Sequence, residues 1–313
     1  MKKIIKLAMV MVAVVFATDS WAQQAPMYTH YMYNTLVINP AYAGSRDALT
    51  ITALNRSQWV GVGDAPTTQT ITLHTPLRNQ NIGLGFAAMK DKIGPISNTS
   101  LVGDFAYRMK VSKKAKLALG LSVGVSIFQA NLSTLTTDQQ NDPAFQNNIN
   151  NAVLPNVGFG IYYSRERFYV GVSAPSLLQN SFSIDKRANA NSLSESDQRH
   201  YSLIAGKVFN LSDNLAFKPT ALVKITEAAP AQVDFTASFI IAQKLMLGAM
   251  FRSDDAVGAL VGLNITEQLH IGYSYDWSYG FSSAKYNQGS HEIMLRYDFI
   301  FFDKKQIHNP RYF

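Results

Sequence analysis

The stretch "LALGLSVGVSI", residues 117–127, alternates strictly between two kinds of residue. Leucine, valine and isoleucine fill every odd position, whereas the even positions hold only alanine, glycine and serine. Successive side chains of a β-strand point to opposite faces, so the pattern predicts a strand with one aliphatic face and one small or polar face. Such a strand separates an apolar environment from a more polar one.

The same alternation recurs along the chain in segments of about ten residues. Fourteen segments follow it, at 47–59, 68–76, 81–90, 98–109, 115–129, 156–164, 167–174, 200–210, 215–226, 231–241, 245–252, 256–265, 269–278 and 291–301. The longest links between them, 130–155, 175–199 and 279–290, fall on one predicted rim, and short polar turns fall on the other. An even number of strands and this asymmetry between rims are typical of bacterial outer-membrane barrels.

Charged residues occupy the face opposite to the aliphatic one. They are Asp104, Arg108, Lys116, Lys218, Lys224, Asp234, Asp276, Arg296 and Asp298. A soluble β-sandwich or an eight-stranded lipocalin-like barrel, the alternatives with the same alternation, would bury these charges at a large desolvation cost, whereas a hydrated lumen holds them. Aromatic residues near the ends of apolar faces, such as Tyr107 and Trp277, suit membrane-interface girdles. We therefore predict an all-β fold, a transmembrane antiparallel barrel of about 14 strands.

Residues 1–22 have the features of a secretory signal peptide, in which a basic start precedes the apolar run 7–17 and the small-residue cleavage site 20–22. The run of 11 residues is shorter than the roughly 20 that a transmembrane helix needs. We expect the signal to be cleaved and the chain to reach the outer membrane. The predicted organisation is a signal peptide at 1–22, an N-terminal plug or periplasmic segment at 23–46, the barrel at 47–302 and a periplasmic tail at 303–313.

Composition narrows the function classes further. The formal net charge is +7, but no dense lysine and arginine tract is present, which argues against a nucleic-acid partner. The chain has no cysteine, so it has neither disulfides nor a thiolate for catalysis or metal binding. Outer-membrane lipid is the partner that the apolar strand faces predict.

The segment at 23–46 is too apolar to hang free in the periplasm. Its tyrosines are Tyr28, Tyr31, Tyr33 and Tyr42. The pair Asn39-Pro40 predicts a break in the chain, and the small Ala41 and Ala43 let the backbone turn closely into the first strand. A disordered N-terminal extension is the alternative. We favour a plug against the periplasmic mouth of the barrel.

The sequence contains only weak matches to motifs for catalysis or metal binding. The six histidines show no metal-ligand spacing. His270, Ser274 and Asp276 share one strand face, but at about 3.3 Å per residue the outer two lie some 20 Å apart, too far for a triad. The polar segment 131–151 has too few acidic residues for a confident calcium loop. We predict no catalytic residue, no cofactor and no metal site, and hence no enzyme.

Two glycine pairs, in "IGLGF" (82–86) and "VGFGI" (157–161), lack the remainder of a phosphate-binding loop. In each pair the glycines fill alternate inward positions of a strand. We expect them to pack against the contents of the lumen.

Several short motifs resemble one family. They are "NPAYAG" (Asn39, Pro40, Ala41, Tyr42, Ala43, Gly44), "SQWVG" (57–61, with Gln58 and Trp59), "DAPTTQT" (64–70), "IGLGF" (82–86), "DKIGP" (91–95) and "NPRYF" (309–313). In their order and over nearly the whole mature chain, they are similar to the type IX secretion system membrane proteins of the PorP/SprF family. The resemblance implies a 14-stranded outer-membrane barrel without known catalysis that acts with periplasmic type IX secretion components or with a secreted surface protein, such as a gliding adhesin.

The two longest loops are the predicted surface for that partner. Their amides and hydroxyls surround a few apolar points, namely Phe145, Leu154, Leu177 and Phe182. Small apolar anchors within a polar surface suit recognition of a protein. The alternative function is an outer-membrane channel for a small solute, which an open lumen lined by one sign of charge would favour.

Overall fold

The computed structural model describes residues 26–135, 148–183, 194–196, 199–226, 229–279 and 287–299. The predicted signal peptide and the C-terminal tail at 303–313 lie outside these ranges. No helix in the described ranges is long and apolar enough to cross a membrane.

Seventeen strands are present in the described part of the chain. They are β1 (Leu49–Ser57), β2 (Thr67–Pro76), β3 (Ile82–Ile93), β4 (Ile96–Ser112), β5 (Ala115–Ala130), β6 (Ile149–Arg165), β7 (Phe168–Ser176), β8 (Ser181–Ser183), β9 (Ser194–Ser196), β10 (His200–Lys207), β11 (Phe209–Ser212), β12 (Leu215–Thr226), β13 (Gln232–Ile241), β14 (Leu245–Arg252), β15 (Ala256–Asn264), β16 (Leu269–Ser278) and β17 (Ser290–Phe299). Three short 3-10 turns, at Thr35–Val37, Pro40–Tyr42 and Leu132–Thr134, are the helical elements of the described residues.

The strands form a closed antiparallel barrel. Neighbours in sequence pair with each other, β17 pairs with β1, and β10 pairs with both β7 and β12. Fourteen strands make the wall, β11 continues the line of β10 against β12, and β8 and β9 form a separate hairpin. Closure leaves no strand edge unpaired in the wall, which is the condition for a sheet to cross a bilayer. The predicted fold class and the 14 predicted strands are confirmed.

The predicted phase of the strands is confirmed as well. On β5 the side chains of Leu121 and Val123 are 56% and 68% exposed on the outer wall, whereas Ser122 between them is 5% exposed. The inward charges Asp104 and Arg108 are buried. The apolar face therefore points outward, as the desolvation argument required.

The two rims differ in the length of their connections. We call the rim with the β2–β3, β4–β5 and β6–β7 turns the turn rim, and the opposite rim, with the β5–β6, β7–β10 and β16–β17 links, the loop rim. β1 begins and β17 ends at the turn rim. The N-terminal segment, residues 26–48, precedes β1.

The strands from β3 to β6 are longer than the alternation predicted. β4, β5 and β6 have 17, 16 and 17 residues, whereas a strand needs about 9–11 to cross a bilayer. Residues 149–155 of β6 lie beyond the predicted strand at the loop rim, where Phe128 of β5 packs with Leu132 and Leu154 in a small apolar cluster, whereas β4 is extended at both rims. The alternation missed this extension because, beyond the membrane, hydrogen bonds between strands continue without a lipid-facing apolar face.

Candidate functional site: a filled lumen

The interior of the barrel is occupied by the N-terminal segment. Tyr31 and Ala43 are 0% exposed, and the residues between them are also buried or nearly so. The Tyr31 hydroxyl lies 3.0 Å from Thr220 Oγ1 of β12, and Ser173 of β7 donates a hydrogen bond to the Ile38 carbonyl at 2.7 Å. Thr29 bonds Glu292 of β17, on the opposite side of the ring of strands from β7, so the segment crosses the lumen from wall to wall. The interior is packed with protein, which differs from the hydrated lumen expected from the sequence.

The path of this segment runs from near the loop rim to the turn rim. Thr29 contacts Asp276 and Glu292, which lie where β16 ends and β17 begins, at the loop rim. Gly44 lies against Pro76 and Gly83, where β2 ends and β3 begins, at the turn rim. The segment thus fills more of the lumen's depth than the position at one mouth that the sequence suggested.

Near the loop rim the segment is held by a carboxylate. The two oxygens of Glu292 accept hydrogen bonds from the backbone N–H groups of Thr29 (2.9 Å) and His30 (2.7 Å). The His30 Nδ1 atom lies 2.8 Å from the same carboxylate, and both side chains are fully buried. Hydrogen bonds to a charged acceptor are stronger than neutral ones, so this contact fixes the start of the segment.

Two buried arginines complete what we call the loop-side cluster. It comprises His30, Arg56, Asp234, Arg252, Asp255, Asp276 and Glu292. Arg56 donates to Asp276 at 2.7 Å and to the Thr29 hydroxyl at 2.9 Å. Arg252 donates to Asp234 at 3.0 Å and to the Tyr28 carbonyl at 3.1 Å. Each arginine therefore has a carboxylate partner and also bonds the segment.

Near the turn rim the segment is held by close packing. Asn39 caps the 3-10 turn Pro40–Tyr42, accepting from the Ala41 N–H at 2.9 Å, and its Nδ2 donates to the Ile161 carbonyl at 3.0 Å. The Tyr42 ring meets that of Tyr162 edge-on, with centroids 5.5 Å apart. The predicted break at Asn39-Pro40 is present as this capped turn.

Glycines of the wall permit that close approach. A Cβ added to Gly83 would lie 2.6 Å from the Ala43 carbonyl carbon, and one on Gly120 would lie 2.5 Å from the Pro40 carbonyl carbon. Such distances are too short for real Cβ atoms, so only glycine fits. The same holds for Gly160 and Gly171 beside Asn39, whereas a Cβ on Gly85 would lie 3.0 Å from Leu36 Cδ1 and would require only a small shift. The packing against the lumen's contents that was expected for the glycine pairs is present at Gly83, Gly85 and Gly160, whereas Gly158 lies against Ser122 and Pro175 of the wall.

A second set of charges lies near the turn rim, and we call it the turn-side cluster. It comprises Arg46, Lys218, Arg296 and Asp298. The Arg46 guanidinium donates to both oxygens of Asp298, at 3.2 and 2.8 Å. The Lys218 Nζ and the Arg296 Cζ atoms lie 4.5 and 4.9 Å from the centroid of the Tyr33 ring.

At the turn rim itself, Asp47 joins the end of the segment to the wall. Arg108 donates to Asp47 at 2.7 Å and also to the Gly44 carbonyl, and Lys116 lies 3.2 Å from the same carboxylate. Burial raises the pKa of Asp47, but the hydrogen bond from Arg108 and the charge of Lys116 outweigh it and hold the pKa below its ordinary value. The carboxylate is thus kept ionised.

The family motifs predicted from the sequence do not form one site. Asn39, Pro40, Ala41, Tyr42, Ala43 and Gly44 lie together inside the barrel. Gln58 and Trp59 lie at the other end of β1, in its link to β2 at the loop rim. There the Trp59 N–H donates to Ser290 Oγ at 3.3 Å.

The predicted partner-binding residues are also dispersed. Phe145 lies outside the described residues, and Phe182 lies in β8. Leu154 is in β6 and half-buried, so its assignment to a loop was wrong, because β6 begins at Ile149 and extends beyond the membrane. Leu177 follows β7 and is half-buried, with its N–H bonded to the Val157 carbonyl at 3.0 Å.

The residues that bind the segment were mostly missed by the sequence analysis. Arg56, Arg252 and Glu292 each lie at an inward position near the loop-rim end of a strand. Their strand phase alone could have placed them in the lumen, but not against Thr29 or His30. Among the described residues, no group of three or more histidine, aspartate or glutamate side chains could hold a metal ion.

The family model described as "Type IX secretion system membrane protein PorP/SprF" matches residues 20–297. The chain belongs to the PorP/SprF family. A closed barrel with an apolar outer face, in a family of secretion-system membrane proteins, indicates the outer membrane. No curated protein shows significant sequence similarity to this PorP/SprF chain.

The chain is similar to several solved outer-membrane barrels. A Pseudomonas aeruginosa FadL homologue is 11% identical with a TM-score of 0.48, the match covering 85% of this chain and 94% of that one. CymD, titled a monoaromatic hydrocarbon channel, is 11% identical with a TM-score of 0.48 over 85% and 93% of the two chains. Omp33 of Acinetobacter baumannii is 11% identical with a TM-score of 0.44, over 82% of this chain and all of that one.

Proposed function

We propose that this PorP/SprF barrel is a plugged, non-enzymatic component of the type IX secretion system. It links a secreted surface protein, such as a gliding adhesin, at the loop rim to periplasmic secretion or motility components at the turn rim. In this proposal the chain is exported with removal of its signal peptide, and the turn rim faces the periplasm.

The filled lumen is the observation that carries the proposal. The N-terminal segment has carboxylates and arginines bonded to it near one rim and glycines packed against it near the other. Both arrangements hold it in place, whereas a channel for a small solute needs an open path or a constriction that opens readily. A barrel whose interior is occupied in this way is better suited to hold a partner than to conduct a solute.

The loop rim supplies the larger surface for a partner. β4, β5 and β6 extend past the bilayer there, and the apolar cluster of Phe128, Leu132 and Leu154 stiffens them. The turn rim carries exposed basic residues, namely Lys110, Lys113, Lys114, Arg165 and Arg167. A basic rim attracts an acidic surface of a periplasmic component through long-range electrostatics.

Replacing the β7–β10 link, residues 178–198, by a short Gly/Ser linker tests the proposal. Loops outside the membrane can change without loss of the wall's hydrogen bonds, so the barrel should still fold. We expect one secreted protein to be lost from the cell surface into the medium, measured by comparing surface and culture fractions. The matched control replaces the β1–β2 loop residues 61–64, which should alter the surface protein less.

Deleting residues 26–38 tests the plug separately. The barrel should fold and its conductance in planar bilayers should rise, because the remaining segment no longer fills the lumen. Unchanged conductance would contradict the plug. If the 178–198 replacement retains every surface protein while uptake of a small solute falls, the channel function replaces the one proposed.

A further inference from the structure

The outer wall of the barrel has a depression across β1, β2 and β3. Its volume is about 460 Å³, within the range of roughly 300–1,000 Å³ that is usual for ligand pockets. Ala53, Ile71 and Ala88 are cross-strand neighbours in one row of its lining, so two small side chains flank a large one. Ile71 is 51% exposed, and Ile293, which borders the depression on β17, is 55% exposed. The depression therefore opens on the apolar outer face of the barrel.

The next row of outward residues, towards the loop rim, is polar. It consists of four cross-strand neighbours on β1 to β4 that also line the depression, namely Asn55, Gln69, Lys90 and Thr99. The row beyond it is polar as well, with Ser57, Thr67, Lys92 and Ser97. The apolar face of these strands therefore ends at the row of Lys90, and the depression spans that boundary.

Two lysines give this boundary a positive charge. Lys90 and Lys92 are both exposed, and neither has a carboxylate within 4.0 Å among the described residues. They lie two residues apart on one face of β3, so their Cα atoms are about 7 Å apart. Asp91 between them lies on the opposite face and accepts a hydrogen bond from Thr68. The arginines of the loop-side cluster point inward, so they do not contribute to this outward charge.

Three occupants of the depression can be compared by what each would contact. A soluble phosphate would pair with the lysines but would leave the apolar lining around Ala53 and Ala88 unused. A lipid with no net charge would cover that lining but would not balance the charge of Lys90 and Lys92. A lipid with a net negative headgroup does both, because the hydrocarbon that fills the depression ends beside Lys90.

We propose that the depression is the binding site of one anionic phospholipid. An acyl chain packs over Ala53 and Ala88 beside Ile71, and the headgroup phosphate accepts a charge-assisted hydrogen bond from the Lys90 ammonium group. Lys92 adds positive charge on the side of the headgroup. The site differs from the general contact of the apolar wall with lipid, because it selects a lipid by charge. It depends neither on which rim faces the periplasm nor on which secreted protein the barrel serves.

Native mass spectrometry of the folded full barrel tests the proposal. The barrel is reconstituted in nanodiscs that contain equal amounts of phosphatidylglycerol and phosphatidylcholine with identical acyl chains, and the lipid that stays bound after release is weighed. We expect one phosphatidylglycerol per barrel, retained in preference to phosphatidylcholine. Lys90→Gln should lower this retention about fivefold, the contribution expected of one lysine beside an anionic headgroup. The matched control Lys113→Gln, on an exposed lysine of the turn rim, should retain the lipid as the unaltered chain does.

Ala88→Phe distinguishes a lipid site from a site for soluble phosphate, because it fills the depression and leaves both lysines in place. Retention of phosphatidylglycerol should fall, whereas the matched control Leu101→Phe, in the same row on β4, should keep it. If Ala88→Phe does not fold, Ala53→Phe is measured in its place. Equal retention of the two lipids, or unchanged retention in Lys90→Gln or in the variant that fills the depression, overturns the proposal. Displacement of the lipid by added glycerol phosphate, which has no acyl chain, also overturns it and indicates a site for soluble phosphate.

Discussion

The two ends of the lumen hold the same segment by different means. Near the loop rim, Arg56 and Arg252 face several carboxylates, and Glu292 binds two backbone N–H groups of the segment directly. Near the turn rim, the carboxylate Asp298 lies among three cations, and the segment is held by backbone packed against glycine. One end is fixed by matched charge and the other by shape.

This difference sets how each end should respond to substitution. Removing one partner of a buried ion pair leaves the other charged and uncompensated. A substitution at the end held by ion pairs should therefore lower the stability of the barrel strongly. Removing one partner of an ion pair that water reaches costs little, because the remaining charge is hydrated. A close contact between the segment's backbone and a wall glycine is disrupted only when a substitution adds atoms at that glycine.

The largest effect is expected for Arg252→Met. This substitution keeps most of the side-chain volume but leaves Asp234 and Asp255 without their partner. We expect the free energy of unfolding to fall by about 3–5 kcal/mol, the usual cost of breaking a buried pair. Urea titration of the barrel in lipid vesicles measures it, and Arg165→Gln at an exposed site should stay within about 0.5 kcal/mol. Equal losses in the two variants would break the contrast between matched and exposed charge.

A smaller loss is expected for Glu292→Gln. The amide keeps the shape of the carboxylate, but its NH₂ group faces an N–H donor of Thr29 or His30 and cannot accept from it. The cost should be about 1.5–3 kcal/mol, which is the range for a hydrogen bond to a charged group. Faster amide hydrogen exchange at residues 29 and 30, with exchange in β5 unchanged, would locate the effect. Unchanged exchange at both residues would show that Glu292 does not hold the segment.

The wall of the barrel was predictable from the sequence because its signal is local. Each strand carries a period of two residues, and lipid on one face makes that period visible, as in 117–127. The ends of β4 and β6 were not predictable, because outside the bilayer the ladder of hydrogen bonds continues without an apolar face. Phe128 and Leu154 stabilise that extension through a contact that depends on strand register.

The contents of the lumen were predictable only in part. The glycine pairs and the small residues around Asn39-Pro40 indicated that something packs closely inside. The partners of the segment's start were not foreseeable, because Thr29 bonds Glu292 across 263 positions of sequence. Such a contact depends on closure of the whole barrel, and no motif or periodicity within either segment encodes it.

The end of the segment that packs against glycines, near the turn rim, is tested by Gly120→Ala. The added Cβ would collide with the backbone of Pro40 and Ala41, neither of which can move as a flexible side chain could. We expect a loss of about 1–3 kcal/mol from overpacking, with faster hydrogen exchange at residues 41–44. The matched control is Gly103→Ala on the outer wall of β4, where a Cβ meets nothing nearer than 3.8 Å. Similar losses in both variants would mean that they reflect strand propensity and not contact with the segment.

The smallest effect is expected for Lys116→Gln at the turn rim. The substitution removes a charge 3.2 Å from Asp47, but these two side chains are 33% and 50% exposed, and Asp47 keeps its contact with Arg108 at 2.7 Å. Ion pairs that water reaches contribute little, so the free energy of unfolding should fall by no more than about 1 kcal/mol. The measurement is the same urea titration used for Arg252→Met. A loss as large as that of Arg252→Met would show that the partly exposed charges of the turn rim are matched as tightly as the buried charges of the loop-side cluster, and the two ends of the lumen would then be held by one principle.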